Sequence, residues 1–468
     1  MKDFGIKALF FAEIIIGVII AAIYMVRFRF LKYCQSKAKN WLSSYQNKDL
    51  PFYYSSYAIK QGCQHDFFNT PYSIVDKLII DAALIPNRLS LLLEIKKALI
   101  QHPKSFTLTL LKAHIYLSSD KLIQFRHIMQ NLNLPSFTKK HERAQYYYFS
   151  ALNELYETDM DKASKLCSKA LKIYQKLGFM YEEAECYLLL SQIYRITGIF
   201  DIAETMLKEA DKRFRKLKIN AKKAECMAYF GLISFGREQY NFAIQYLSGA
   251  VAIAKQHKLT RSYADINNWL GLAFYMIQKR GKAERSFLIA LKKAQTKECT
   301  AYAAEMLSRI RYQNRDYKNA LKYVDTALSV SDFQVNPAGF LENLYIKAEI
   351  FFAQQNYTQS KKILTHIIRK KLPPATSFYP ANAYTLLGII NLKENNLNTA
   401  KNLFKQAVDL EHSKNRLKGA AIDYNNLAEI ARQQGYTAEA ENYLRQALSY
   451  ATKINDNELE NYLKTKLN

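Results

Sequence analysis

The sequence predicts an all-α chain, a solenoid of paired helices preceded by one N-terminal transmembrane helix. Three observations carry that expectation. Glycine and proline are scarce, 14 and 9 in 468 residues, where average usage would supply about 55. Turn-rich sandwiches and βαβ enzymes consume more of both. A small–large–small pattern returns at intervals of 40 residues through the C-terminal two thirds of the chain. One early stretch stays apolar for the length of a bilayer core.

That stretch is Ala8 to Val26, ALFFAEIIIGVIIAAIYMV, following a short tail of residues 1–7. Its 19 residues would span roughly 28 Å as a helix. A cleaved signal peptide has a shorter apolar region and a small-residue cleavage site. This run ends Tyr24-Met25-Val26-Arg27 and offers none. Its single charge, Glu13, lies near one end, where it can snorkel or pair with another helix. Lys2 and Lys7 precede the run; Arg27, Arg29, Lys32, Lys37 and Lys39 follow it. The positive-inside rule then puts the bulk of the chain on the cytoplasmic side of the cell inner membrane. Residues 27–71, with Pro51, Gly62 and Pro71, are expected to be a juxtamembrane linker.

Hydrophobic residues at 49% and charged residues at 23% exclude wholesale disorder. The net charge is +26, and it is spread along the chain. A nucleic-acid reader shows a basic stripe or a recognition motif; neither is visible, so nucleic acid is not an expected partner. Diffuse positive charge suits anionic lipid headgroups or an acidic partner; it is equally a plain bias toward lysine. The six cysteines, Cys34, Cys63, Cys167, Cys186, Cys226 and Cys299, are widely spaced without CxxC. Cys167, Cys186 and Cys226 fall on apolar helix faces, as small buried hydrophobes do. Cys63, His65 and Asp66 lack two further ligands at zinc spacing. No metal and no cofactor is expected.

The repeat defines the rest. A small residue, a large one four later and a small one seven later begin at Ala163, Ala203, Ala243, Ala283, Ala320, Ser360, Ala400 and Ala440. The large partners are Cys167, Leu207, Leu247, Phe287, Val324, Leu364, Phe404 and Leu444. Twelve residues before each anchor stands another small residue: Ala151, Ser191, Gly231, Gly271, Ser308, Ala348, Gly388 and Ala428. Turn residues separate the halves, among them Thr197-Gly198, Glu238-Gln239, Asn314-Arg315, Asn395-Asn396 and Gln434-Gly435. Small residues at fixed places let helix axes approach, and large ones fill the space between pairs. No pair can bury its face alone, so stacking makes one continuous core.

This pattern resembles the tetratricopeptide repeat family, in a variant longer than the usual period of about 34. About eight repeats are expected over 141–450. Residues 72–140, with Ala113 in frame and Phe125 where a small residue should stand, are expected to be an atypical cap or a degenerate pair. Residues 451–468 are expected to be a capping helix, and Leu372-Pro373-Pro374 through Pro380 a helix break.

No Walker A, GxSxG, HExxH or GxGxxG sequence occurs, and no residue is assigned a catalytic role. Carboxylate pairs such as Glu182-Glu183 are expected on solvent faces, forming ion pairs. What the resemblance implies is binding. In the family, the first helix of each pair lines a concave groove that receives a protein or peptide partner. By register, the groove positions are Arg195, Phe235, Asn268, Tyr275, Arg309, Tyr312, Tyr345, Phe352, Asn425 and Arg432; tyrosine and arginine are common binding anchors. Each could equally pack between neighbouring first helices. The expected protein is a bacterial membrane-anchored scaffold. An extracytoplasmic envelope or pilus assembly factor of the same fold is one alternative, and a regulatory repeat protein linked to nucleic acid another.

Overall fold

A computed structural model of the chain describes residues 88–119, 121–136, 138–333, 336–370, 379–413 and 416–467. The expected membrane segment 8–26, the linker 27–71, the Cys63–His65–Asp66 group and Leu372–Pro374 lie outside these residues. Among the described residues no helix is long and apolar enough to cross a membrane. They form helices and no strand. Three helices come first: α1 (Arg88–Gln101), α2 (Phe106–Ser118) and α3 (Leu122–Asn131). Eight pairs follow: α4 (Lys140–Tyr156) with α5 (Met160–Leu177), α6 (Met180–Ile196) with α7 (Phe200–Leu217), α8 (Asn220–Gly236) with α9 (Tyr240–Gln256), and α10 (Thr260–Met276) with α11 (Arg280–Lys293). The remaining four are α12 (Lys297–Gln313) with α13 (Tyr317–Val330), α14 (Pro337–Ala353) with α15 (Tyr357–Arg369), α16 (Tyr379–Lys393) with α17 (Leu397–Ser413), and α18 (Leu417–Gln433) with α19 (Thr437–Lys453). Helix α20 (Asn457–Leu467) closes the chain.

The 40-residue frame is the packing frame. All eight anchor residues and their large partners are buried. Within a pair, the large residue of the second helix meets the small residue of the first. A methyl group added to Gly231 would lie 2.7 Å from Leu247 Cγ. At Gly271 and Gly388 it would lie 2.8 and 2.7 Å from the rings of Phe287 and Phe404. Phenylalanine thus stands opposite glycine. Where alanine or serine occupies the first helix, the partner is the smaller Cys167, Leu207, Val324, Leu364 or Leu444. Two of the three serines of the frame add buried hydrogen bonds, from Ser308 Oγ to the Ala320 carbonyl and from Ser360 Oγ to the Ala348 carbonyl, each 2.9 Å.

The turn inside each pair is the same turn eight times over. Thr158, Gly198, Glu238, Gln278, Arg315, Gln355, Asn395 and Gly435 all have positive φ, between 59° and 80°. The next residue's N–H reaches back to a carbonyl five residues earlier, as Ile199 does to Tyr194 at 2.8 Å and Asn396 to Asn391 at 2.8 Å. This left-handed closure satisfies carbonyls that a helix end leaves free. Asp159, Asp316 and Asn356 then cap the second helix by accepting from the N–H three residues on.

The chain divides into two compact units at Thr296 and Lys297. The one short period, Ala283 to Ala320, falls on this boundary; helix α11 stops at Lys293, after 14 residues. Within each unit, a helix packs on its partner and on the first helix of the next pair. First helices also pack on one another: α4, α6, α8 and α10 in succession in one unit, α12, α14, α16 and α18 in the other. Within each unit they form a continuous layer.

The paired array starts at Lys140, next to the expected 141, and is preceded by α1 to α3, whose core of Leu91, Ile95, Leu108, Ile115 and Phe125 packs on Phe149 of α4. Phe125 is buried edge-on to Phe149, ring centroids 5.9 Å apart, and so fills the space of a close helix approach. The cap begins at Asn457 rather than 451, because Ala451 is buried and carries the α19 face one turn further. Pro380 does not break a helix. It sits in the first turn of α16, where its missing N–H needs no partner.

Candidate functional site

The groove residues share a register. Counted from the small residue of each first helix, Arg195, Phe235, Tyr275, Tyr312, Phe352 and Arg432 stand four places after it. Arg309 stands one after, and Asn268, Tyr345 and Asn425 three before. Steps of three and four put these positions on one helical face.

Their surroundings differ. Phe235, Tyr312 and Phe352 fold across their own turn onto the first residue of the second helix. The ring centroids of Phe235–Tyr240, Tyr312–Tyr317 and Phe352–Tyr357 are 5.2, 6.0 and 5.8 Å apart. They are half-buried staples of the turn. Asn268 is only 4% exposed and reaches no open surface. Tyr275 is half-buried. Tyr345 is also half-buried, and burial beside Glu349 pushes its hydroxyl well above the ordinary tyrosine range. Asn425 and Arg432 are held by the closing helix: Lys466 Nζ donates to Asn425 Oδ1 at 3.2 Å, and Arg432 donates to the Lys466 carbonyl.

The two remaining arginines contrast. Arg309 is neutralised, donating to Glu305 at 3.3 Å and to Glu342 of the next first helix. Burial pushes nearby Glu349 up to about 7, against the pull of Arg309. Arg195 buries its Nε without a hydrogen-bond partner. Burial lowers its pKa, offset in part by Tyr229 on α8. Tyr229 in turn packs on Trp269 of α10, ring centroids 5.9 Å apart. A partly desolvated guanidinium and two large rings therefore run across three successive first helices.

A polar network on the same layer was not singled out from the sequence. Lys222 Nζ lies 2.7 Å from Glu185 and 2.8 Å from Glu225, joining α6 to α8. Tyr148 of α4 donates to Glu185 at 3.5 Å. The available signal was repetition, since Glu185 and Glu225 stand 40 residues apart in the frame. Glu183, expected on a solvent face, is drawn in against Arg213, which donates to it at 2.6 and 2.8 Å and lies over the Tyr187 ring at 4.5 Å.

The arrangement offers binding surfaces. Cys167, Cys186, Cys226 and Cys299 are buried thiols outside any disulfide, and burial raises Cys186 and Cys226 well above the reactive range. Among the described residues no group of three His, Cys, Asp or Glu could hold a metal ion.

Repeated helix pairs, left-handed turns in register and a first-helix layer in each unit define an α-helical repeat protein. A family model described as tetratricopeptide repeat matches residues 381–412 and 424–453, which lie in the last two pairs. Those two pairs match the tetratricopeptide repeat, and the described array as a whole has a tetratricopeptide-like helical-repeat fold. The crystal structure of the apo form of RapI is similar in fold, with a TM-score of 0.51 and 16% identity, covering 75% of this chain and 99% of that one. The apo form of the quorum sensor NprR from B. thuringiensis is similar at a TM-score of 0.51 and 13% identity, covering 73% and 97%. No curated protein sequence matches the chain.

Proposed function

We propose that the chain is a membrane-anchored scaffold that receives a partner protein or peptide along its first-helix layer. The observation that carries this reading is Arg195. Its guanidinium is half-buried, its Nε has no hydrogen-bond partner, and it stands beside Tyr229 and Trp269 on a layer built by repetition. A partly desolvated guanidinium with an unsatisfied N–H is costly for a fold to retain, and a carboxylate from a partner would compensate it. Anchoring rests on Ala8–Val26 and on the basic residues after it, which favour the cytoplasmic side of the inner membrane. Tethering would raise the partner's local concentration at the membrane.

A photo-crosslinking residue placed at Arg195 or Tyr275, and separately at Lys208 on the outward side of α7, tests this reading in cells. Partner adducts are expected from the first two positions and not from Lys208. Adducts from Lys208 alone would overturn the assignment. Reporters fused after Asn468, one active only outside the cytoplasm and one only inside, decide the side of the membrane.

A further inference from the structure

Where α16, α17 and α18 meet, two carboxylates are buried beside one cation. Asp423 is 1% exposed and Glu411 2%. Glu411 Oε1 accepts from Arg416 at 3.1 Å, while its Oε2 is buried without a hydrogen-bond partner. Arg416 also donates to Asn382 at 3.4 Å. The backbone presses on this site: a methyl group added at Gly419 would lie 2.5 Å from the Glu411 carboxyl carbon. The Thr385 hydroxyl lies 2.9 and 3.0 Å from the two oxygens of Asp423 and 3.1 Å from the Ala381 carbonyl. A hydroxyl has one proton to give. When it donates to Ala381, the contact with Asp423 requires a proton on Asp423.

The groups that bear on Asp423 are Glu411 from α17, Arg416 ahead of α18, Thr385 from α16, Asn426 from α18 itself and Tyr345 from α14. Among the described residues, Arg416 is the one cation that bears on Asp423. Two buried carboxylates against one guanidinium leave the site one positive charge short, a deficit a retained proton removes.

We propose that Glu411 and Asp423 hold one proton between them, and that this proton fastens α16 and α17 to α18, so that this stretch of the array loosens as pH rises. Burial, aided by Glu411, pushes Asp423 up to about 8, against the pull of Thr385, Asn426 and Arg416. Burial likewise raises Glu411. In an opened state both carboxyls would titrate near 4. The closed state therefore binds the extra proton between about pH 4 and 8. Opening becomes easier as pH rises through that window, by up to about tenfold per unit, and levels off above it.

Hydrogen exchange of the full-length protein in detergent, corrected for intrinsic rates at pH 5.5, 6.5 and 7.5, tests the lock. Opening constants of peptides within 379–393 and 417–433 are expected to rise severalfold to tenfold per unit. Those within 140–217 are expected to stay level. Asp423→Asn is expected to abolish the rise. A level wild-type profile, or an unchanged slope in Asp423→Asn, would overturn the proposal. Should Asp423→Asn not fold, Glu411→Gln reads the same lock: its transition is expected at lower pH, and an unshifted transition counts against the shared proton. Infrared spectroscopy of the wild type at pH 6.5 supplies an independent reading. A protonated carboxyl band that disappears in either variant supports the pair, and a band unaffected in both opposes it.

Discussion

Residue size is matched across each helix pair. Gly388 faces Phe404, and Gly271 faces Phe287, while Ala348 faces Leu364 and Ala428 faces Leu444. The protein thus holds two solutions to one packing problem, and exchanging half of one solution is expected to fail. Gly388→Ala puts a methyl group 2.7 Å from a fully buried ring, an overpacking worth about 1–3 kcal/mol. Adding Phe404→Leu recreates the combination of the neighbouring pairs and is expected to recover most of that loss. Thermal melts of the single and double variants check it; a double variant no more stable than the single one would show that the two positions do not share a constraint. Polar residues were less legible at this scale. Arg195, Arg309 and Arg432 stood alike in the sequence as groove arginines. The structure leaves Arg195 with an unpartnered Nε, gives Arg309 two carboxylates, and ties Arg432 to the closing helix. Those partners come from helices 33 or 34 residues away, or from one turn below, and no single-repeat pattern specifies them.

Elements are set by their ends as much as by their faces. Every intra-pair turn passes through a left-handed residue, yet only Gly198 and Gly435 among the eight are glycines. An L-residue costs roughly 1–2 kcal/mol in this conformation. Thr158 is the least suited of the eight, because it is β-branched at φ 67°. Its side chain is exposed. Thr158→Gly is therefore expected to stabilise the first pair by about 1 kcal/mol, after allowing for the greater freedom of glycine in the unfolded chain. A raised melting midpoint checks this, and a lowered one would mean that the threonine makes a contribution of its own. The turns were legible in the sequence because glycine and asparagine recur at them. The aromatic staples were not: Phe235, Tyr312 and Phe352 could as well have faced a ligand until the ring contacts with Tyr240, Tyr317 and Tyr357 were seen.

For the whole molecule, the question is how a stack of incomplete units is closed. Within each unit a pair leaves an apolar face for the next, and the last pair gives its own to α20. Leu463 is fully buried there against the cluster of Ala428, Leu444, Ala447 and Ala451. Burying a leucine is worth about 1.5–3 kcal/mol, and terminal repeats without a cap expose such faces. A chain ending at Asn455 is expected to melt lower and to associate through α18 and α19, which size-exclusion chromatography and a thermal melt would show. An unchanged melt and a monodisperse peak would mean that α20 is dispensable. The change of period at Ala283 to Ala320 also acts at this scale. The short step falls where the chain divides into two compact units, so a three-residue deficit in the frame marks a boundary of the fold.

The sequence by itself determined that the chain is helical, that its helices come in pairs, where the pairs turn, and which small and large residues meet. Those properties repeat with the chain, and repetition makes a local pattern visible. Only the tertiary structure decided which polar groups are partnered and which are left over. Glu411 and Asp423 are ordinary acidic residues twelve positions apart until α16, α17 and α18 enclose them with a single arginine. Charge pairing depends on neighbours one repeat away and on the depth at which each group is buried, and neither is written in the register of one repeat.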